Sequence, residues 1–179
     1  MVKPRADSLK FYKTISLLAI VIAIVALAQP YFSKGSGLIP VISIDELSTI
    51  GYTKVDVQVS ISGNVGVVTI QSGCYQLTAT TEASQIESIA SGQEKTVGFR
   101  PLTHDLFNDA LDSLEVDVVM VKIVDMQNNT YIGRLILKQD DRIVSLDSRP
   151  SDGIAVAVRA NAPIYIKDDL LKAQGKYVC

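Results

Sequence analysis

The chain has no tryptophan, one histidine and two cysteines in 179 residues. A single histidine and two distant cysteines, Cys74 and Cys179, cannot supply the clustered ligands of a structural zinc site. They permit one disulfide if the domain lies in an oxidising compartment. There is no Gly-rich phosphate loop, nucleophile elbow, zinc-hydrolase helix motif or CxxC pair. Dinucleotide-binding, serine-hydrolase, metalloprotease and thiol-redox readings are therefore without support. A nucleophilic Ser151 or Cys74 would have no second histidine to draw on. Basic charge is also scarce: from residue 14 onward 13 Lys and Arg face 18 Asp and Glu, a net of −5. Tight general nucleic-acid binders neutralise several phosphates with Lys and Arg, so that class is disfavoured, although nucleic acid remains open as a transient substrate.

One stretch lacks charge altogether. Thr14 to Ser33 is 20 residues without an acid or base, which as a helix at about 1.5 Å per residue spans roughly 30 Å of hydrocarbon. Lys3, Arg5, Lys10 and Lys13 precede it against Asp7 alone, whereas only Lys34 follows closely. The positive flank is thus expected in the cytoplasm and the remainder outside. Tyr12, Tyr31 and Phe32 stand where aromatic residues favour the membrane interface. A cleaved signal peptide ending at Ala26-Leu27-Ala28 fits the same features and predicts secretion. The expected organisation is a basic flank at 1–13, a transmembrane helix or signal peptide at 14–33, a linker and lead-in at 34–52, and one domain over 53–179.

Within that domain the patterning predicts α+β architecture, a mixed or antiparallel sheet built from hairpins with helices packed on it. Val55, Val57, Val59 and Ile61 alternate before Gly63-Asn64 and a second apolar run from Val65 to Ile70. Tyr75 to Ala79 reads as a third strand, followed by a helix that Thr81 would cap and Gly92 would end. Thr103 is a candidate N-cap for a helix whose Leu106, Phe107, Ala110, Leu111 and Leu114 form one stripe that should pack on a sheet. Val118 to Val124 and Tyr131 to Leu137 form a hairpin around Met126 to Asn129, and Ile143 to Leu146 is a further strand. A helix from Ile154 to Ala160, a strand Ile164 to Ile166 and a helix opening at Asp168 close the domain. Asn128-Asn129-Thr130 fits a glycosylation acceptor for an exported chain.

Two segments share a layout that could carry chemistry. Arg100-Pro101 leads into a helix bearing His104 and Asp105, and Arg149-Pro150 into one bearing Ser151 and Asp152. Helix N-termini attract anions and Arg can grip phosphate in bidentate fashion, so either segment could hold a phosphodiester. The same residues are also ordinary caps, and Arg149 could simply pair with Asp105 or Asp147. His104 is the one side chain that ordinarily titrates near neutrality and hence the acid or base candidate. Asp105, Asp147 and Asp152 could together hold a divalent cation such as Mg²⁺.

These segments resemble the bifunctional nuclease domain family, through RPLTHDL at Arg100 to Leu106 and DSRPSDGIAVAVRANAPIYI at Asp147 to Ile166. Leu111 to Leu114, Thr130 to Leu135 and the Glu82-Ala83 helix opening also look like the family, and the likeness covers about Thr53 to Leu171. The resemblance implies a compact α+β domain that self-associates and cleaves RNA or DNA, and it directs attention to Glu82, Arg100, His104, Asp105, Asp147, Arg149, Ser151 and Asp152. Gln76 to Thr80 replace the family's Trp-bearing stretch and its Gly, Gly153 stands where Ala is usual, and a membrane segment is atypical. Two functions follow as alternatives: a membrane-anchored nuclease or phosphodiesterase, metal-assisted or not, and a non-catalytic binding or assembly module displayed on the membrane. No protein partner is singled out.

Overall fold

A computed structural model describes residues 44–179, together with Ser16 and Ile20, both in helical backbone. Among the described residues no helix is long and apolar enough to cross a membrane. The run expected to do so, 14–33, lies outside them apart from those two positions.

The domain is α+β, with two sheets. A short helix α1 (Ile44–Leu47) leads into β1 (Tyr52–Lys54). Then follow β2 (Asp56–Ser62), β3 (Val65–Ser72), β4 (Tyr75–Glu82), and helices α2 (Ala83–Gln93) and α3 (Thr103–Ser113). The second half contains β5 (Asp117–Gln127), β6 (Thr130–Gln139), β7 (Arg142–Ser148), α4 (Pro150–Ala160), β8 (Ile164–Lys167), α5 (Asp168–Gln174) and β9 (Lys176–Tyr177). One sheet runs β1-β8-β5-β6-β7, antiparallel except for the parallel β5–β8 pair, and the other runs β2-β3-β4-β9.

The hairpins form for the reasons their sequences give. Val57 pairs opposite Ile70 and Val59 opposite Val68, while Gly63 turns the chain with φ +63°. Asn128 and Asn129 both adopt φ > 0 at the β5–β6 turn, a conformation Asn tolerates better than most residues. That turn is tighter than the expected Met126–Asn129 because β5 continues through Gln127. One core joins Val68, Ile70 and Leu77 of the smaller sheet to Val121, Ile123 and Ile166 of the larger, with Ile86 of α2 and Ile154 of α4 against them.

Four local expectations change. Thr81 does not cap α2: β4 runs on to Glu82, which takes the extended N-cap backbone, because Val65 to Gly66 keeps pairing with Thr81 and Glu82. Gly92 does not end α2 but lies buried inside it, where a Cβ would come within 2.7 Å of both Arg159 and Val158. Its missing side chain lets α2 and α4 approach. Leu102, not Thr103, is the N-cap of α3, and Asp105 accepts its backbone N–H at 2.7 Å. Lastly, α3 packs against α4 rather than on a sheet: Leu111 is buried, but Leu106, Phe107, Ala110 and Leu114 are exposed.

Cys74 and Cys179 form a disulfide with Cα atoms 5.2 Å apart. It fastens the C-terminal strand, where β9 pairs with β4 and Tyr177 meets Tyr75 edge-to-face at 5.7 Å. Lys122 is buried to 2 % exposure; its ammonium donates to the Glu46 and Ser48 carbonyls and lies 4.9 Å from the Tyr52 ring centroid.

Candidate functional site

The two Arg-Pro segments are not equivalent. At the second, β7 ends at Ser148, Arg149 caps α4 with extended backbone, and Pro150 takes the first helical position. Pro suits that place because its fixed φ is helical and it lacks an N–H that would go unused. The Arg149 guanidinium donates to both Asp152 oxygens, at 2.7 and 3.2 Å. The Asp152 carboxylate, with Glu82 nearby, raises the Arg149 pKa further. On its other side Asp152 faces His104 Nε2 at 3.6 Å, longer than a direct hydrogen bond but within the range of charge attraction.

His104 is held from behind. Its Nδ1 lies 2.8 Å from Ser88 Oγ on α2, and Ser88 is buried. The hydroxyl can donate to Nδ1 or accept from it; with the proton on Nδ1, Ser88 Oγ accepts it and Nε2 is left unprotonated on the side facing Asp152. Burial lowers the His104 pKa; Asp152 works against that, and Arg159 adds to it. The imidazole is thereby kept neutral at physiological pH, the state a proton acceptor needs.

Asp105 points the other way. It is 9 % exposed and receives the Arg159 Nε–H at 2.5 Å. Arg159 Nη1 donates in turn to the carbonyls of Ser88 and Ala155. Burial opposes ionisation of Asp105, but hydrogen bonds from Arg159 and the Leu102 N–H prevail and hold its carboxyl below the usual range. This pair ties α2, α3 and α4 together beneath His104.

The structure therefore gathers His104, Arg149, Ser151 and Asp152, with Glu82 near Arg149, and sets Asp105 behind them as a brace. It leaves two expected members apart. Arg100 is exposed, and no hydrogen bond or ion pair of its own is found among the described residues. Asp147, with a side chain 76 % exposed, faces Arg134 at 3.7 Å. The expected carboxylate trio is not formed, because Asp105, Asp147 and Asp152 each answer a different arginine. Among the described residues no three His, Cys, Asp or Glu side chains are arranged to hold a metal ion. Sequence reading missed Ser88 and Arg159, which matter through distant partners: Ser88 is 16 residues from His104, and Arg159 is 54 from Asp105.

Residues 70–178 match the model of the bifunctional nuclease domain. The chain belongs to that family. An uncharacterized protein of Mycobacterium tuberculosis is 38 % identical over 92 residues, covering 51 % of this chain and 54 % of the relative. Bifunctional nuclease 2 of Arabidopsis thaliana is 33 % identical over 82 residues, 44 % of this chain and 25 % of the plant protein. Bifunctional nuclease 1 from the same plant is 29 % identical over the same length. The chain spans about half the length of the mycobacterial relative and a quarter of the plant ones. The matched stretch of this bifunctional nuclease domain begins within β3 and contains all of α2, α3 and α4, the helices that carry His104, Arg149 and Asp152.

Proposed function

We propose that this chain is a nuclease or phosphodiesterase acting on RNA or DNA, with Arg149 and Ser151 receiving the phosphate and His104 exchanging the proton. The observation that carries this reading is the contrast between the two arginine–aspartate pairs. Arg159 and Asp105 have side chains only 7 % and 10 % exposed, as a structural brace requires. Arg149 and Asp152 are 67 % and 30 % exposed, and such a pair contributes about 0–1 kcal/mol to stability. A guanidinium held in place by Asp152 yet open to solvent is suited to a ligand anion. His104 Nε2 stands on the far side of Asp152, where the neutral ring can accept a proton from a water or a sugar hydroxyl.

Residues 14–33 anchor the protein in this proposal, with the domain outside the cytoplasm. The open face of α3 supports self-association. Leu106 and Leu114 are each 62 % exposed, and Phe99 fully so. Asp109, Asp112 and Glu115 border the C-terminal end of that face and Arg100 its N-terminal end, so an antiparallel pairing of two copies would bring opposite charges together. The same face is what a non-catalytic assembly module would need.

The two readings part at Arg149→Ala in the purified chain, tested on labelled single-stranded RNA and DNA with Mg²⁺ or with EDTA. The nuclease reading expects cleavage to fall by at least about 100-fold while stability changes by less than about 1 kcal/mol. Lost stability with no cleavage activity in the parent chain would favour the assembly module.

A further inference from the structure

A cavity of about 270 Å³ opens beside Arg149. Its floor is aliphatic: Val68, Ile70 and Leu77 of the smaller sheet face Ile123 and Ile166 of the larger, with Ile154 of α4 closing one side. Its rim is polar, formed by Thr80 and Thr81 at the end of β4, Asn129 and Thr130 at the β5–β6 turn, and Arg149 with Ser151 on α4. The Tyr131 ring also lines it. This space separates the two sheets where β4 leaves for α2, and no part of the proton-transfer arrangement occupies it.

We propose that this cavity receives the base of the nucleotide next to the phosphate held by Arg149, which makes the substrate single-stranded or locally unpaired nucleic acid. The inference rests on the nuclease reading and deepens it. Three observations carry it. The first is position: Arg149 belongs both to the cavity rim and to the Arg149–Asp152–His104 series. A nucleotide whose phosphate sits on Arg149 therefore has the proton acceptor on one side and the cavity on the other. The second is size. The volume falls just below the roughly 300–1,000 Å³ of drug-sized pockets, enough for one ring system and too little for a base pair. The third is chemistry. Asn129 presents both a donor and an acceptor, and the Thr80, Thr81 and Thr130 hydroxyls can serve as either, which suits the edge of a base. An acyl chain would fill the floor but leave those rim groups without partners.

A base can enter only after leaving its stack, so a duplex must open first and a single strand need not. The net acidic balance agrees, because no run of Lys and Arg is present to follow a duplex backbone. Selectivity for unpaired strands then comes from the cavity rather than from charge.

The test uses the full chain and measures binding of nucleoside 5′-monophosphates, ribose 5-phosphate and decanoate by calorimetry. The monophosphates should bind at least about tenfold more tightly than ribose 5-phosphate. Ala79→Phe, which places a ring in the cavity, should erase that difference. If Ala79→Phe lowers the melting temperature, Thr130→Val replaces it, removing only a rim hydroxyl while keeping the side-chain shape. Cleavage of a single strand should also slow by at least about tenfold when the nucleotide at the scissile position is abasic. Equal affinity for nucleotide and ribose phosphate, preferential binding of decanoate, or equal cleavage of intact and abasic strands overturns the cavity assignment. Base-dependent binding by a chain that cleaves no strand would instead overturn the nuclease reading and leave the cavity assignment standing.

Discussion

Replacing Arg159 with methionine would retain much of the side-chain volume against Gly92 while withdrawing the cation from Asp105. Three acceptors lose the guanidinium at once: the Asp105 carboxylate, which keeps only the Leu102 N–H, and the Ser88 and Ala155 carbonyls. Breaking a buried ion pair from one side costs about 3–5 kcal/mol, since the remaining charge stays desolvated. Against a typical total of about 5–15 kcal/mol, the variant can still fold, with a thermal midpoint lowered by on the order of 10 °C or more. The pH dependence makes the test specific. In the parent chain the folded Asp105 pKa is depressed, so its stabilisation is present above the unfolded value of about 3.9 and is lost as pH falls through the folded one. In Arg159→Met burial acts unopposed by the cation and raises the Asp105 pKa, so the ionised carboxyl becomes a penalty that protonation relieves. The stability gap between parent and variant should therefore narrow as pH is lowered from about 7 towards about 4. Urea melts at several pH values measure this, and the Asp105→Asn, Arg159→Met pair should cost less than the sum of its parts. A single-variant cost under about 1 kcal/mol, the value of an exposed pair, or a gap that ignores pH, would refute the brace.

His104 has a folded pKa below its unfolded value, so the fold prefers neutral imidazole and loses stability as pH drops below about 6.5. The acid limb of kcat/KM should accordingly have its midpoint below about 6.5; Ser88→Ala should lower kcat and move that midpoint, whereas a purely packing role for Ser88 would leave the pH profile in place. Reducing the Cys74–Cys179 bond frees a loop of about 100 residues, for which chain entropy predicts a loss near 4–5 kcal/mol. Melting with and without reductant reads it, and an unmoved midpoint would contradict the tie. Leu106→Glu with Leu114→Glu should convert an assembled chain to monomer in sedimentation, and an unchanged sedimentation coefficient would remove α3 from the contact.

The hairpins were legible because alternation and turn residues are local signals. Val57, Val59, Gly63 and the paired asparagines state their structure within a few positions, whereas the division into two sheets, where one was expected, depends on pairing between distant strands. The errors at Thr81 and Gly92 come from tertiary contacts. Thr81 has the chemistry of a cap, but pairing with Gly66 keeps it in a strand. Gly92 has the chemistry of a helix end, but α4 packs so close that only glycine fits inside α2. The stripe on α3 was read correctly as apolar and wrongly as covered, because periodicity locates a face without naming what meets it.

The site shows the same division more sharply. His104-Asp105 and Ser151-Asp152 occupy matching places after an Arg-Pro step, and nothing in their spacing separates one aspartate's work from the other's. What separates them is Arg159, on the last turn of α4, which reaches beneath His104 and takes Asp105 out of contact with solvent. Once that carboxyl is committed, Asp152 is the one left beside His104, and Arg149 the one left at the cavity mouth. The candidate site is thus defined as much by the charge that α4 buries as by the charges it leaves open. A buried brace of this kind holds His104 and Asp152 at a fixed separation, the preorganisation that the proposed proton exchange at His104 would need.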